Sequence, residues 1–255
     1  MEAAADDVKQ RRAARAPALL AIDTATEHMS IALSWQAREW HHEAPGGARA
    51  SAGLIPAIRS LLQQAGAELS ELDAIAFGRG PGAFTGLRTA CAVAQGLSFG
   101  SGKPVLPLDT LMLVAEDARL DAGVTDVWVA MDARMQEAYA ARYGWRDGRW
   151  TVWQAPALYT VEALAARWTH EPPAAVAGTA LEAFGDRLPL GSAERVAQAL
   201  PRARSLIAVA RAAWDDGHAV DAAHALPLYL RDKVALTTAE REAAKAARAV
   251  AGGIA

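Results

Sequence analysis

Cysteine is nearly absent: Cys91 stands alone among 255 residues, so no disulfide can form within the chain, and the count fits a reducing compartment. Apolar runs are short, and none nears the roughly eighteen residues of a membrane helix. Arg11-Arg12 precedes an apolar run over residues 16–22, but Asp23 stops it and no small-residue cleavage site follows, so it does not read as an export signal. Basic charge is scarce too. The formal net charge is -3, and no Lys/Arg stripe is long enough to grip a nucleic-acid backbone unaided. None of the six histidines falls at a metal-ligand spacing, and His41-His42-Glu43 lies at a strand end, where neighbouring side chains point to opposite faces. The expectation is a cytoplasmic protein with no membrane segment, metal or cofactor.

What is present is the composition of a soluble globular protein, 52% hydrophobic and 22% charged, long enough for one large domain or two lobes with separate cores. The most distinctive stretch runs from Phe77 to Arg88. Residues 74–77 form a short apolar strand and residues 85–99 an Ala- and Leu-rich helix, with Gly78, Gly80, Pro81, Gly82 and Gly86 shaping the turn between them. Two readings stay open. The loop either holds an anion at the helix N-terminus, with Arg79 and Arg88 as ligands, or only sets the angle at which the helix leaves the strand.

Other patterns fail on context. Gly96-Leu97-Ser98-Phe99-Gly100 matches a hydrolase nucleophile motif, yet Ser98 falls at a helix end rather than on a strand-to-helix elbow. Gly102-Lys103 lacks the first glycine and the Ser/Thr of a P-loop.

In chain order, residues 1–16 read as a disordered extension. Residues 18–23, 29–35 and 38–43 read as strands, and Leu54, Ile58, Leu61 and Leu62 recur at helical spacing. After the glycine loop come a strand at 105–106 and a helix at 110–119. Strands at 127–132, 137–143 and 150–158, a helix at 160–168, a strand at 174–178 and a helix at 204–216 follow. Ala21-Ile22-Asp23 and its following strand recur 109 residues later as Ala130-Met131-Asp132 and a second strand. Two related α/β lobes account for this, one over 17–120 and one over 121–235, with an Ala-rich, partly helical tail over 236–255.

Gly78-Arg79-Gly80-Pro81-Gly82-Ala83-Phe84-Thr85-Gly86-Leu87-Arg88 resembles the signature of the bacterial TsaB family of tRNA threonylcarbamoyladenosine biosynthesis proteins. Leu20-Ala21-Ile22-Asp23-Thr24-Ala25-Thr26, Met131-Asp132-Ala133-Arg134 and Pro227-Leu228-Tyr229-Leu230-Arg231 resemble its other motifs, in order, over residues 18–235. The resemblance implies the actin-like ATPase (ribonuclease H-like) fold. It also implies a non-catalytic subunit that binds the catalytic protein TsaD, is joined by the ATPase TsaE, and meets tRNA only through that complex. The assembly would place a threonylcarbamoyl group on the adenosine next to the anticodon of tRNAs reading codons that begin with A. Self-pairing in the partner's absence stays open. The alternatives are a nucleotide-dependent small-molecule kinase or a glycoprotease-like peptidase of the same superfamily.

Against the superfamily's phosphate-holding first hairpin, Asp23-Thr24-Ala25-Thr26-Glu27 is a poor cradle, because the side chain of Thr24 intrudes and Glu27 repels an anion. Where the catalytic relative carries His-x-x-x-His, residues 49–56 contain no histidine. The resemblance places the partner surface on the helices at 51–65 and 85–99, at Ser51, Leu54, Ile55, Ile58, Arg88, Ala92 and Gly96. On the second helix Gly86, Ala90, Val93 and Leu97 share the face expected to pack inward.

Overall fold

Strand β1 (Leu19–Asp23) is buried along its whole length and sits at the middle of a sheet, which is why it carries no polar alternation until Asp23. This computed structural model describes residues 15–231. The expected extension, up to residue 14, and the expected tail lie outside the described residues. Of the extension, Arg15 donates to both carboxylate oxygens of Asp73, at 3.1 and 3.2 Å.

β1 pairs antiparallel with β2 (His28–Trp35), and β2 with β3 (Arg38–Pro45). Helix α1 (Ala50–Ala65) follows, then β4 (Ala74–Gly80), α2 (Phe84–Ser101) and β5 (Val105–Asp109). β4 and β5 run parallel to β1, giving a five-stranded sheet in the order β3-β2-β1-β4-β5.

Helix α3 (Thr110–Ala122) leads to β6 (Asp126–Asp132), β7 (Glu137–Arg146) and β8 (Arg149–Thr160). Then come α4 (Val161–His170), β9 (Ala175–Ala177), α5 (Ala180–Phe184), β10 (Glu194–Val196) and α6 (Ala203–Asp215). The second sheet reads β8-β7-β6-β9-β10, so β6 to β10 repeat the order of β1 to β5. The repeat seen in sequence at Asp23 and Asp132 is therefore a repeat of topology, and the fold is two related lobes of the actin-like type.

Each sheet is sandwiched. Leu54, Ile58 and Leu61 of α1, with Ala90 and Ala94 of α2, cover the face of the first sheet that carries Leu20, Ile22, Ile31 and Leu33. Leu206, Ile207 and Ala210 of α6 cover the opposite face, at Leu19, Ala21, Ala32 and Ala74. In the second lobe, Leu111, Val114 and Ala118 of α3 pack on Val127, Val129, Ala141 and Tyr143. Val161, Leu164 and Trp168 of α4 pack on Trp128 and Ala130.

Chain order and packing part ways here, because α6 follows the second lobe yet lies on the first sheet. The buried carboxylate of Asp117 on α3 fastens this crossing. It accepts from Arg204 Nε at 2.7 Å, Arg202 Nε at 3.1 Å and the Leu200 amide at 3.1 Å, so its charge is both paired and hydrogen-bonded.

The structure differs from the pattern reading at a few places. β4 continues through Gly78-Arg79-Gly80 instead of stopping at Phe77, because Gly78 and Gly80 still pair with Leu108 and Asp109 across a bulge at Arg79. α5 and β10 span five and three residues, too short to show a period. Among the described residues no helix is long and apolar enough to cross a membrane.

Candidate functional site

The four motifs singled out in the sequence meet between the lobes. Asp23, at the end of β1, is wholly buried. Its Oδ1 accepts from the Ala25 amide at 2.8 Å and its Oδ2 from the Thr110 hydroxyl at 3.1 Å. Burial pushes its carboxyl up to about 7 in spite of these two bonds. Gly78 passes so close that a Cβ there would stand 1.7 Å from Asp23 Oδ2. The same Thr110 hydroxyl accepts from the Gly80 amide at 3.1 Å, so one side chain at the start of α3 joins hairpin and glycine loop.

The loop then closes on the hairpin. Gly80 holds φ at +112°, a conformation that disfavours any side chain. A Cβ on Gly82 would stand 2.5 Å from the Ala25 carbonyl oxygen, and one on Gly86 only 1.8 Å from that of Thr24. The Ala83 amide donates to Ala25 O at 2.8 Å, and the buried Thr24 hydroxyl donates to Gly86 O at 2.7 Å. Hairpin and helix N-terminus are thus in direct backbone contact at Thr24 and Ala25. These contacts fix the angle at which α2 leaves β4. Arg88 Nε donates to the Tyr229 hydroxyl at 3.2 Å, and its guanidinium lies 5.9 Å from the rings of both Phe84 and Tyr229.

The late motif straps these parts together. Leu228 N donates to Arg79 O at 2.7 Å, and Tyr229 stacks on Phe84 with centroids 5.1 Å apart. Arg231 crosses to the second lobe, where it donates to Ala133 O at 3.0 Å and to Glu137 Oε2 at 2.5 Å. It thereby braces a turn in which Arg134, Met135 and Gln136 all have positive φ, a strained conformation that must be held from outside. The Arg134 amide donates to Asp132 Oδ1 at 2.8 Å, and its guanidinium lies 3.3 Å from Asp132 Oδ2 and 3.9 Å from Glu27 Oε1 across the gap. A cleft of about 670 Å³ is left, lined among others by Glu27, Pro81, Phe84, Met131, Asp132, Tyr139, Glu182 and Arg231. Asp109 caps α3 by accepting from the Leu111 amide at 3.0 Å, and it also accepts from the Tyr143 hydroxyl at 2.6 Å; burial raises its carboxyl.

The residues expected on the partner surface divide. Ser51, Ile55, Arg88, Ala92 and Gly96 are exposed. Leu54 and Ile58 are not: at 0% and 2% exposure they belong to the first lobe's core, because the stripe they share with Leu61 is the one that faces the sheet. The inward face of α2 is as expected, with Gly86 and Ala90 buried and Val93 and Leu97 packed against the core. Sequence reasoning missed Phe99 and Leu226, exposed by 69% and 65%. Leu226 is brought beside α2 by bonds from Gln95 Nε2 to the Ala222 and Ala225 carbonyls. Its only sequence signal was adjacency to the late motif. Among the described residues no three His, Cys, Asp or Glu side chains gather as metal donors.

Two like lobes around a cleft define a protein of the actin-like superfold. Comparison with known proteins narrows this to a family. A family model described as TsaD, tRNA N6-adenosine threonylcarbamoyltransferase, matches residues 41–239. The tRNA threonylcarbamoyladenosine biosynthesis protein TsaB of Escherichia coli is 35% identical over 225 residues, 85% of this chain and 96% of that protein. The TsaB of Haemophilus influenzae is 40% identical over 121 residues, 48% of this chain and 51% of that one. The solved structure of YeaZ from Pseudomonas aeruginosa superposes with a TM-score of 0.77 at 39% identity, covering 84% of this chain and 100% of that one. The chain belongs to the TsaB family of tRNA threonylcarbamoyladenosine biosynthesis proteins.

Proposed function

We propose that this chain is the non-catalytic subunit of the assembly that transfers a threonylcarbamoyl group to the adenosine beside the anticodon, and that it works by binding and ordering a TsaD-type catalytic subunit, with a TsaE-type ATPase joining them. The closed hairpin carries this reading. Asp23 and Thr24, the side chains best placed to serve a metal-nucleotide, are fully buried and committed to Ala25, Thr110 and Gly86. The same closure weighs against a kinase. Exposed Ser51, Ile55, Arg88, Ala92 and Gly96, extended by Phe99 and Leu226, supply the docking surface: small residues that admit a neighbouring helix, flanked by apolar side chains whose burial would favour association. The formal charge of -3 fits contact with tRNA through the partner rather than alone.

Purified protein is expected to show no ATP turnover and to form a stable complex when the catalytic subunit is added. Cells depleted of it should lose threonylcarbamoyladenosine from digested tRNA by mass spectrometry, and a version lacking residues 2–14 should restore it. Normal modification after depletion, or robust ATP turnover abolished by Asp23→Ala, would overturn the reading.

A further inference from the structure

The segment from Ala222 to Arg231 touches the two lobes in turn. Ala222 and Ala225 are buried in the core of the first lobe, and Leu230 packs on the core of the second. Along α2 the segment is tied down: Gln95 Nε2 donates to the Ala222 and Ala225 carbonyls, Cys91 Sγ donates to Ala225 O at 3.1 Å, and Arg88 Nε donates to the Tyr229 hydroxyl. Its far end grips one turn. Arg231 donates to Ala133 O at 3.0 Å, to Arg134 O at 3.5 Å and to Glu137 Oε2, and its Nη1 lies 2.9 Å from Met135 Sδ.

That turn does not hold itself. Arg134, Met135 and Gln136 are exposed, so no buried side chain of their own fixes them. All are left-handed, at φ 64°, 56° and 61°, where Cβ crowds the following carbonyl and every non-glycine residue costs free energy. Backbone bonds close the turn from the Ala133 amide to Glu137 O at 2.9 Å and from the Glu137 amide to Arg134 O at 3.1 Å. A strained element secured from outside has a relaxed alternative, and the firmness of what secures it sets how often that alternative is visited. The near end of the segment lies on the proposed docking surface. Leu226 and Tyr229 are exposed beside α2, and Arg88 belongs to that surface. A partner seated on α2 would cover them, exclude water from the Arg88–Tyr229 bond and so strengthen it.

We propose that partner docking on α2 tightens the Ala133–Glu137 turn through this segment, so that a surface of the second lobe registers whether the first lobe is occupied; the proposal rests on α2 being a docking face. The coupling is one of rigidity and needs no rearrangement of either lobe. Hydrogen–deuterium exchange of the full chain reads it at the Ala133 and Glu137 amides. In the isolated chain, Arg88→Ala should speed exchange there about fivefold, the value of one neutral hydrogen bond, while β1 exchanges as in the parent. Tyr229→Phe, which keeps the ring against Phe84 and loses only the hydroxyl, should do the same and decides the matter if Arg88→Ala does not fold. Ile55→Ser, on the docking surface but not bonded to the segment, should leave the turn as it is. With the catalytic subunit bound, exchange at both amides should slow about tenfold. Parental exchange at the turn in both segment variants, equal acceleration at β1 and the turn, or an unchanged turn in a complex that has formed would overturn the proposal. Absence of any complex would instead sink the reading of α2 as a docking face, a failure that the isolated-chain variants tell apart.

Discussion

Thr24 and Gly86 hold each other twice: the Thr24 hydroxyl donates to the Gly86 carbonyl at 2.7 Å, and the Thr24 carbonyl occupies the space that a side chain on Gly86 would need. The first contact orients the hairpin and the second leaves no latitude at the helix start. Together they pack the hairpin directly against the start of α2.

Gly86→Ala is therefore expected to destabilise the fold by about 1–3 kcal/mol, the usual cost of overpacking a rigid contact, since the atom it meets is backbone. Urea unfolding monitored by circular dichroism measures this. A midpoint equal to the parent's would mean that the loop yields easily and that the closure is not a constraint.

Asp23 makes stability depend on pH. Below about pH 4 its carboxyl is protonated in both folded and unfolded chains; between there and about pH 7 only the unfolded chain releases the proton, so stability falls as pH rises. Above about pH 7 both states are ionised and the full cost remains. Asp23→Asn removes that cost while keeping an acceptor for the Ala25 amide. Its stability relative to the parent should climb from pH 5 to pH 8 in parallel urea titrations; a gap that stays constant with pH would show that Asp23 titrates normally.

Neighbouring residues on α1 should behave as opposites. Leu54→Ala, in the core, is expected to lose about 2–5 kcal/mol of stability. Ile55→Ser, exposed by 43%, should shift stability by no more than about 0.5 kcal/mol yet weaken binding of the catalytic subunit. Equal binding by Ile55→Ser and the parent in pull-down titrations would remove α1 from the docking surface.

A parallel contrast applies on α2. Ala92 is exposed and Ala90 is fully buried. Ala92→Trp should keep a near-parental melting temperature and bind the catalytic subunit roughly five- to a hundredfold more weakly, whereas Ala90→Trp should lower the melting temperature. Parental affinity for Ala92→Trp by calorimetry would move the interface elsewhere.

Much of this architecture is legible in the residues because buried positions recur at fixed intervals. Leu54, Ile58 and Leu61 mark a helix stripe, and the recurrence of Ile22-Asp23 at Met131-Asp132 marks two like lobes. Periodicity does not say what a stripe faces, which is why Leu54 and Ile58 read as surface for a partner while in fact lying against their own sheet. It is equally silent on destination: the amphipathic pattern of α6 announces a helix without revealing that it returns to the first sheet. The cleft is the least legible part, because the neighbourhood of Tyr139 is completed by Arg231, brought back from the far end of the described chain by the strap at Leu228 and Tyr229.

The return of α6 also bears on how the polypeptide comes to be folded at all. During synthesis, Leu19, Ala21, Ala32 and Ala74 emerge early, but Leu206, Ile207 and Ala210, which cover them, emerge only after the whole second sheet. Until then that face is covered only where Leu113 and Met112 of α3 reach it, and a contact of such long sequence separation forms slowly and leaves apolar surface open to aggregation. A fragment ending near residue 122 would leave the part of that face under Leu206, Ile207 and Ala210 permanently uncovered. Its yield in the cell thus depends on α6 arriving before a neighbouring molecule does.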